Sequence, residues 1–473
     1  MQRRLTKRLK RPTEIPYLNA LIFHVVLGFA IYLVKSLATL YFLGILVYFI
    51  FKILRNAKDK YVVLEAAAYI TAAEVFLRMT DGAFLHETGK YSVIVFMLLG
   101  MFLHGFKRKA LIFVVYLALL LPAVYVTYVD LPFGMNFRKN ILFNFSGPLS
   151  LAASALFCYD LKIKLSRFLK ILDLMLLPII LMTVYIIFYA PDLSKVVTNA
   201  DASFGASGGF GPNQVSTALG IGLFIGLVRF IMPHKNKLVQ LIVLGSIPLI
   251  AMRALATLSR GGVFTALLMF IAFLGIYFWY APIKLKSKSF VKLALIVGVG
   301  IVVWTATVVS TGGLVAKKYA NEQVSGESRG DVTTGRVEIA NAEFEIFSDQ
   351  PFLGSGVGMS KVARLELVGD KAASHNEITR MISEHGLLGI IALLLLLLVP
   401  AFKFLKQPKN LFIIPLIVFW GATINHSAMR IAAPGFIYGL ALISIQYKAK
   451  RSNIKKGIKK KSLNKPNTIV THV

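Results

Sequence analysis

Apolar residues in this chain come in blocks of roughly 17–23, the length an α-helix needs to cross a bilayer. No other feature limits the fold as much. In a lipid solvent every backbone N–H and C=O must be satisfied within the chain, so many such blocks imply a bundle of helices. Ala392 to Val399, with leucines at every position between, is the plainest of these cores. Composition agrees: the 473 residues are 56% hydrophobic and 16% charged, whereas soluble domains carry about 25% charge. A soluble chain this apolar could not cover its surface.

Fourteen segments read as candidate helices: 17–34, 37–54, 61–78, 91–106, 110–129, 141–158, 170–190, 214–232, 238–258, 262–281, 290–311, 386–403, 411–427 and 431–447. The third carries Glu65, Glu74 and Arg78 and the ninth Arg253, ionisable residues that belong against protein or water when they lie in a span. The expected fold is an all-α polytopic membrane protein of about 12–14 transmembrane helices, with one long, partly helical periplasmic loop.

The net charge of +31 could point to nucleic acid. Its distribution points elsewhere. With the N-terminus inside, the inner loops hold Lys52-Arg55-Lys58-Lys60, Lys107-Arg108-Lys109, Lys162-Lys164-Arg167-Lys170, Lys235-Lys237, Lys284-Lys286-Lys288-Lys292 and Lys403-Lys406-Lys409. The tail after 448 is also basic, and the outer loops are poorer in Lys and Arg, which is the positive-inside pattern. The lone Cys158 excludes an intrachain disulfide framework. The basic start leads into a hydrophobic segment that reads as a retained span rather than a cleaved leader.

These patterns divide the chain into a basic N-terminus (1–16), an N-terminal transmembrane bundle (17–311), a long periplasmic loop (312–385), C-terminal transmembrane helices (386–447) and a basic tail (448–473). The tail suits an anionic lipid surface. The apolar spacing of Val337, Ile339, Ala340, Phe344 and Phe347 predicts a helix over 336–350 in the loop.

Polar residues of chemical interest gather on the outer side. Leu258-Ser259-Arg260-Gly261-Gly262 lies between two spans, and Thr334-Gly335-Arg336 opens the loop helix. Pro351-Phe352-Leu353-Gly354-Ser355-Gly356-Val357-Gly358 follows, then Ser374-His375-Asn376-Glu377, then Ser383-Glu384-His385-Gly386-Leu387-Leu388-Gly389. Guanidinium groups match phosphate bidentately and stay charged, so Arg260 and Arg336 are candidate phosphate ligands. A histidine titrates near neutrality, so His375 is a candidate base for a hydroxyl.

This ordered set, spread over roughly 130 residues, resembles the O-antigen ligase and O-antigen polymerase family of bacterial envelope glycan assembly. Members carry an Arg-Gly at the end of a span, then a long periplasmic loop with Gly-Arg, Pro-x-x-Gly-x-Gly and His-Asn, then Glu-x-Gly-x-x-Gly entering the next helix. The resemblance implies a glycosyltransferase of the bacterial inner membrane with its site facing the periplasm. It implies a glycan donor on undecaprenyl diphosphate, and inverting transfer without a cofactor or obligatory metal. The acceptor would be another glycan, lipid A-core or a protein hydroxyl, and the partners membrane lipids rather than nucleic acid. Arg260, Arg336 and His375 become the catalytic candidates. Asn213, Asn376, Glu377, Glu384 and Arg430 become candidates for substrate binding.

Plainer readings stand beside these. His375 could be a solvated loop histidine, Arg336 could pair with Glu338 or Asp331, and Arg260 could snorkel at the interface. Gly354, Gly356 and Gly358 read better as a turn than as a phosphate cradle, because no helix clearly follows them. Asn376 and Glu377 could orient His375 or bind sugar, and Glu384 could cap the next span. His385, at a helix entry, reads as packing. Glu65 and Glu74 read as structural, with a proton relay as the alternative. Other classes for the whole chain are a lipid-linked glycan flippase or other multi-span transporter, and a scaffold. Transporters often show internal repeats and midplane binding sites; here no repeat is visible and the polar residues gather in one outer loop.

Overall fold

The computed structural model describes residues 15–193, 202–280, 283–322, 336–368, 376–426 and 429–447. The protein is an all-α polytopic membrane protein. Its helices are α1 (Ile15–Leu33), α2 (Leu37–Arg55), α3 (Tyr61–Met79), α4 (Thr88–His104), α5 (Ile112–Asp130), α6 (Phe137–Cys158), α7 (Leu165–Tyr189), α8 (Ala202–Ala206) and α9 (Pro212–Ile231). They continue with α10 (Lys237–Ala256), α11 (Arg260–Tyr280), α12 (Ile283–Ser310), α13 (Leu314–Tyr319), α14 (Arg336–Asp349), α15 (Ser360–Val368), α16 (Glu377–Lys406), α17 (Ile413–His426) and α18 (Ala433–Ala441).

Among the described residues, 10 helices are long and apolar enough to cross a membrane. The other four of the fourteen expected segments are also helices: α3, which carries charge, the shorter apolar α4 and α17, and α18. The last expected segment, 431–447, is helical only as far as Ala441. Its end instead forms β2 (Ser444–Gln446), paired in parallel with β1 (Lys162–Lys164), because the backbone of residues 444–446 finds its partners across the bundle rather than in a further helical turn. The 336–350 helix is present as α14. A helix, α15, does follow the Gly-rich turn, contrary to the expectation from sequence.

Burial explains how α3 can hold three ionisable residues. Every residue from Val62 to Met79 is buried, so no face of α3 meets lipid. At one end Glu65 takes Arg167 and Lys52 at 2.9 Å each and Lys170 at 3.6 Å. At the other end Glu74 holds Arg78 at 2.5 Å and accepts the Ala432 N–H at 2.6 Å. Removing one partner of such a buried pair costs on the order of 3–5 kcal/mol. These pairings give Glu65 and Glu74 structural roles.

Small residues let the helices approach closely, as they must where lipid supplies no hydrophobic drive. A Cβ on Gly435 or Gly439 of α18 would lie 2.8 Å from the Leu151 N or 2.7 Å from the Ser154 Cβ of α6. A Cβ on Gly262 of α11 would sit 2.0 Å from the Ser216 O of α9. By contrast, α12 shows most of its side chains to the outside.

Gly262→Leu should therefore lower the thermal unfolding midpoint of the detergent-solubilised protein, by the about 1–3 kcal/mol typical of overpacking or more. Gly275→Leu, with nothing within 4 Å of its Cβ, is the control and should leave the midpoint nearly unchanged.

Candidate active site

The polar residues of interest collect at the end of the bundle where α9, α11, α16 and α18 begin. The turn from α10 into α11 places Leu258 in the left-handed region (φ 59°), a conformation a branched side chain rarely adopts. That turn brings the Ser259 side chain to Asn213, the Ser259 hydroxyl donating to Asn213 Oδ1 at 2.8 Å. The Ser216 hydroxyl donates to the Ser259 carbonyl at 2.9 Å. Arg260 then opens α11, whose first turn carries no acid to offset the helix dipole. Gly261 is small because the His426 ring lies against it: a Cβ would sit 2.4 Å from the imidazole Cδ2. The His426 Nε2 is 3.4 Å from the Thr217 hydroxyl. Arg260 also acts on Tyr319, whose phenol burial pushes up to about 12 while the guanidinium pulls it down.

A second group surrounds the start of α16. Asn376 caps this helix, its Oδ1 accepting the Ile378 N–H at 2.9 Å. Glu377 is fully buried and holds Arg380 in an ion pair, and its other oxygen accepts the Met429 N–H at 3.3 Å. Arg380 donates to Asn144 Oδ1 at 2.5 Å and faces Glu384 at 3.8 Å. Arg430 lies close enough to feel both Arg380 and Glu377. Burial lowers its pKa, Arg380 lowers it further and Glu377 opposes them. His426 of the first group and Arg430 of the second are four residues apart, so their Cα atoms lie within about 14 Å of each other.

The Gly-rich turn is a structural clasp. Gly354, Gly356 and Gly358 all have positive φ. The Ser355 N–H donates to the Ser383 carbonyl at 2.9 Å, the Gly356 N–H to the Glu384 carbonyl at 3.1 Å, and the Leu387 N–H to the Pro351 carbonyl at 2.7 Å. The turn grips α16 where Gly386 breaks the helical path (φ 59°, ψ −140°). The Glu384 carboxylate accepts the Ser360 hydroxyl at 2.8 Å and is 2% exposed, so it ties α15 to α16. His385 is also buried.

Another buried network supports this end from α3 and α4. Glu87 pairs with Lys90 and lies 3.7 Å from Arg78, while Lys90 reaches the Met429 carbonyl at 3.5 Å. Burial alone would raise the Glu87 carboxyl. His86, Lys90 and Arg78 together overcome it and hold it near 2.

Of the residues expected from sequence, Asn213 is brought beside Ser259 and hence Arg260. Asn376, Glu377, Glu384 and Arg430 form the second group. Arg336 opens α14, and only its backbone is described. His375 lies outside the described residues. Arg380 and His426 were not among the expected site residues. Arg380 had a visible signal, since Glu377, Arg380 and Glu384 share one helical face by their spacing. His426 had none, because its closeness to Gly261 comes only from the packing of α17 on α11.

A multi-span helical membrane protein with an arginine-bearing polar cluster at one end is thus defined. Residues 245–394 match the O-Antigen ligase family model, from late α10 to the middle of α16. This segment spans Arg260, Arg336, His375 and Glu384, and the match supports a relationship to the O-antigen ligase/polymerase family. With the membrane-spanning helices, the match supports, in broad terms, a multi-pass membrane glycosyltransferase of the O-antigen ligase/polymerase type. No curated protein matches the chain.

Glu87 generates a pH prediction. Its folded value near 2 lies below its ordinary 4.5, so its stabilisation is present above about 4.5 and lost as pH falls toward about 2. The midpoint gap between wild type and Glu87→Gln should narrow across that window. A gap that stays constant would contradict the ion-pair assignment.

Proposed function

We propose that the protein transfers or polymerises glycan from an undecaprenyl-diphosphate-linked donor onto an acceptor hydroxyl, on the periplasmic side of the bacterial inner membrane. The acceptor is a second lipid-linked glycan, lipid A-core or a protein hydroxyl. In the reaction the bond from the sugar anomeric carbon to phosphate oxygen breaks as the acceptor oxygen bonds the same carbon. The acceptor proton passes to His375, and the electron pair leaves on the diphosphate. Arg260 and Arg336 hold that growing negative charge, and attack from the face opposite the leaving group inverts the anomeric centre. Asn213, Asn376 and Arg430 contribute to donor and acceptor binding. Glu377 and Glu384 set the polar wall through Arg380. The chemistry is assigned to side chains alone, without a metal.

One observation carries this reading. Arg260 opens α11 three residues before Val263, which lines an apolar groove suited to an isoprenoid chain. The groove, of about 430 Å³, runs between α9, α10, α11 and α12, from Phe230 and Leu295 to Leu255, Val263 and Trp304. Its Trp304 ring packs edge-on against Tyr319 at 5.3 Å, and Tyr319 is the phenol that Arg260 acts on. A polyprenyl chain in this groove would present its diphosphate to Arg260 and to the dipole at the start of α11.

His375→Ala should lower transfer by about 10²–10⁴-fold. Arg260→Lys should also impair transfer, because an ammonium cannot make the bidentate contact. Surface glycan from cells expressing each variant at wild-type levels is the measurement. Normal chains from His375→Ala and Arg336→Ala would sink the catalytic assignment. Flipping of lipid-linked glycan without transfer in proteoliposomes would favour a transporter.

A further inference from the structure

The end of the bundle away from the candidate active site holds a cavity of about 740 Å³. Its lining brings six cations together: Lys107, Arg108 and Lys109 between α4 and α5, Lys162 on β1, Lys406 at the end of α16 and Lys409 just after it. All six side chains are exposed. Among the described residues none of them lies within ion-pair distance of a carboxylate. The single acid in the lining is Asp160, and its charge is already committed to the buried Lys403.

Topology alone asks only that basic residues lie on the inner loops. It does not ask that loops distant in sequence converge on one hollow with a fixed floor. The parallel β1–β2 ladder forms that floor. The Asp160 N–H donates to the Leu442 carbonyl at 3.0 Å, and the Ser444 N–H to the Leu161 carbonyl at 3.0 Å. The Asn410 amide donates to the Ile443 carbonyl at 3.0 Å, and the Gln407 amide to the Ser444 hydroxyl at 2.9 Å. The backbone floor is thus fixed beneath the exposed cations.

Large apolar residues stand next to these basic segments in the sequence. Phe106 precedes Lys107, Leu111 follows Lys109, and Phe402 and Leu405 precede Lys406; all four are large, apolar and exposed. Cations therefore lie close in sequence to exposed apolar side chains, a pairing suited to the region where headgroups meet acyl chains. The sequence continues past 448 with further lysines and no acid.

We propose that this cavity binds a phosphate-bearing anion. Two sources offer that chemistry: the headgroup of an anionic phospholipid and free diphosphate. Several cations in one hollow suit a multiply charged oxyanion, and basic pockets between transmembrane helices suit anionic headgroups. The site is independent of the glycosyl-transfer reading, since it shares no residue with it.

The test uses the full-length protein in nanodiscs of phosphatidylcholine, with or without phosphatidylglycerol. Retained lipid is read by native mass spectrometry, and inorganic diphosphate binding by the shift in thermal midpoint. K107Q/R108Q/K109Q/K406Q/K409Q should weaken binding by at least about tenfold. The charge-retaining K107R/K109R/K406R/K409R should keep it, which separates lost binding from lost folding. K235Q/K237Q, on another basic loop, should also keep it. Selective retention of phosphatidylglycerol supports the headgroup source. Diphosphate binding in pure phosphatidylcholine supports the free anion. Absence of both, or equal weakening in K235Q/K237Q, would overturn the proposal.

Discussion

Buried charge on α3 is the constraint from which much of the architecture follows. An ionised side chain at membrane depth is tolerated only against protein or water. Glu65, Glu74 and Arg78 therefore require α3 to be enclosed on every side, and it is. The partners that neutralise these groups come from α2, α4, α7 and the segment before α18. One helix with unusual composition thus recruits neighbours from both halves of the chain. Its outer carboxylate fixes the backbone at Ala432, next to the Arg430 that stands in the polar cluster.

The cluster is supported in layers. Backbone groups of Met429 are held from two directions, by Glu377 on one side and Lys90 on the other. The Gly-rich turn locks the start of α16 through main-chain hydrogen bonds, which depend on positive φ at three glycines rather than on side chains. Such support leaves Arg260 and Arg430 as partly exposed cations near a buried frame of paired charge. The proposed diphosphate site would gain from this arrangement, because cations bind anions well only where their own positions are already set.

Much of the fold was legible because membrane helices announce themselves by length and hydropathy. All fourteen expected segments correspond to helices, and even the charged α3 could be placed. The exception at 431–447 is instructive. Ser444, Ile445 and Gln446 look like the end of an apolar helix, and only the distant Lys162–Lys164 segment makes them a strand. The site was legible in part. Short motifs around Arg260 and Glu384 could be read in order, and the glycine turn followed from residue type. The helix α15 was missed because Ser360–Val368 is short and mixed in polarity. His426 was missed because helix packing alone brings it to Gly261.

The two-stranded clasp has a consequence for how the protein is made. It joins the residues just ahead of α7 to the final described residues of the chain. Synthesis proceeds from the N-terminus, and early segments generally settle first. This latch cannot close until β2 has been made, so the helices between β1 and β2 are inserted while one end of the assembly is still unfastened. Synthesis of β2, rather than of any single helix, is then the event that fastens that end.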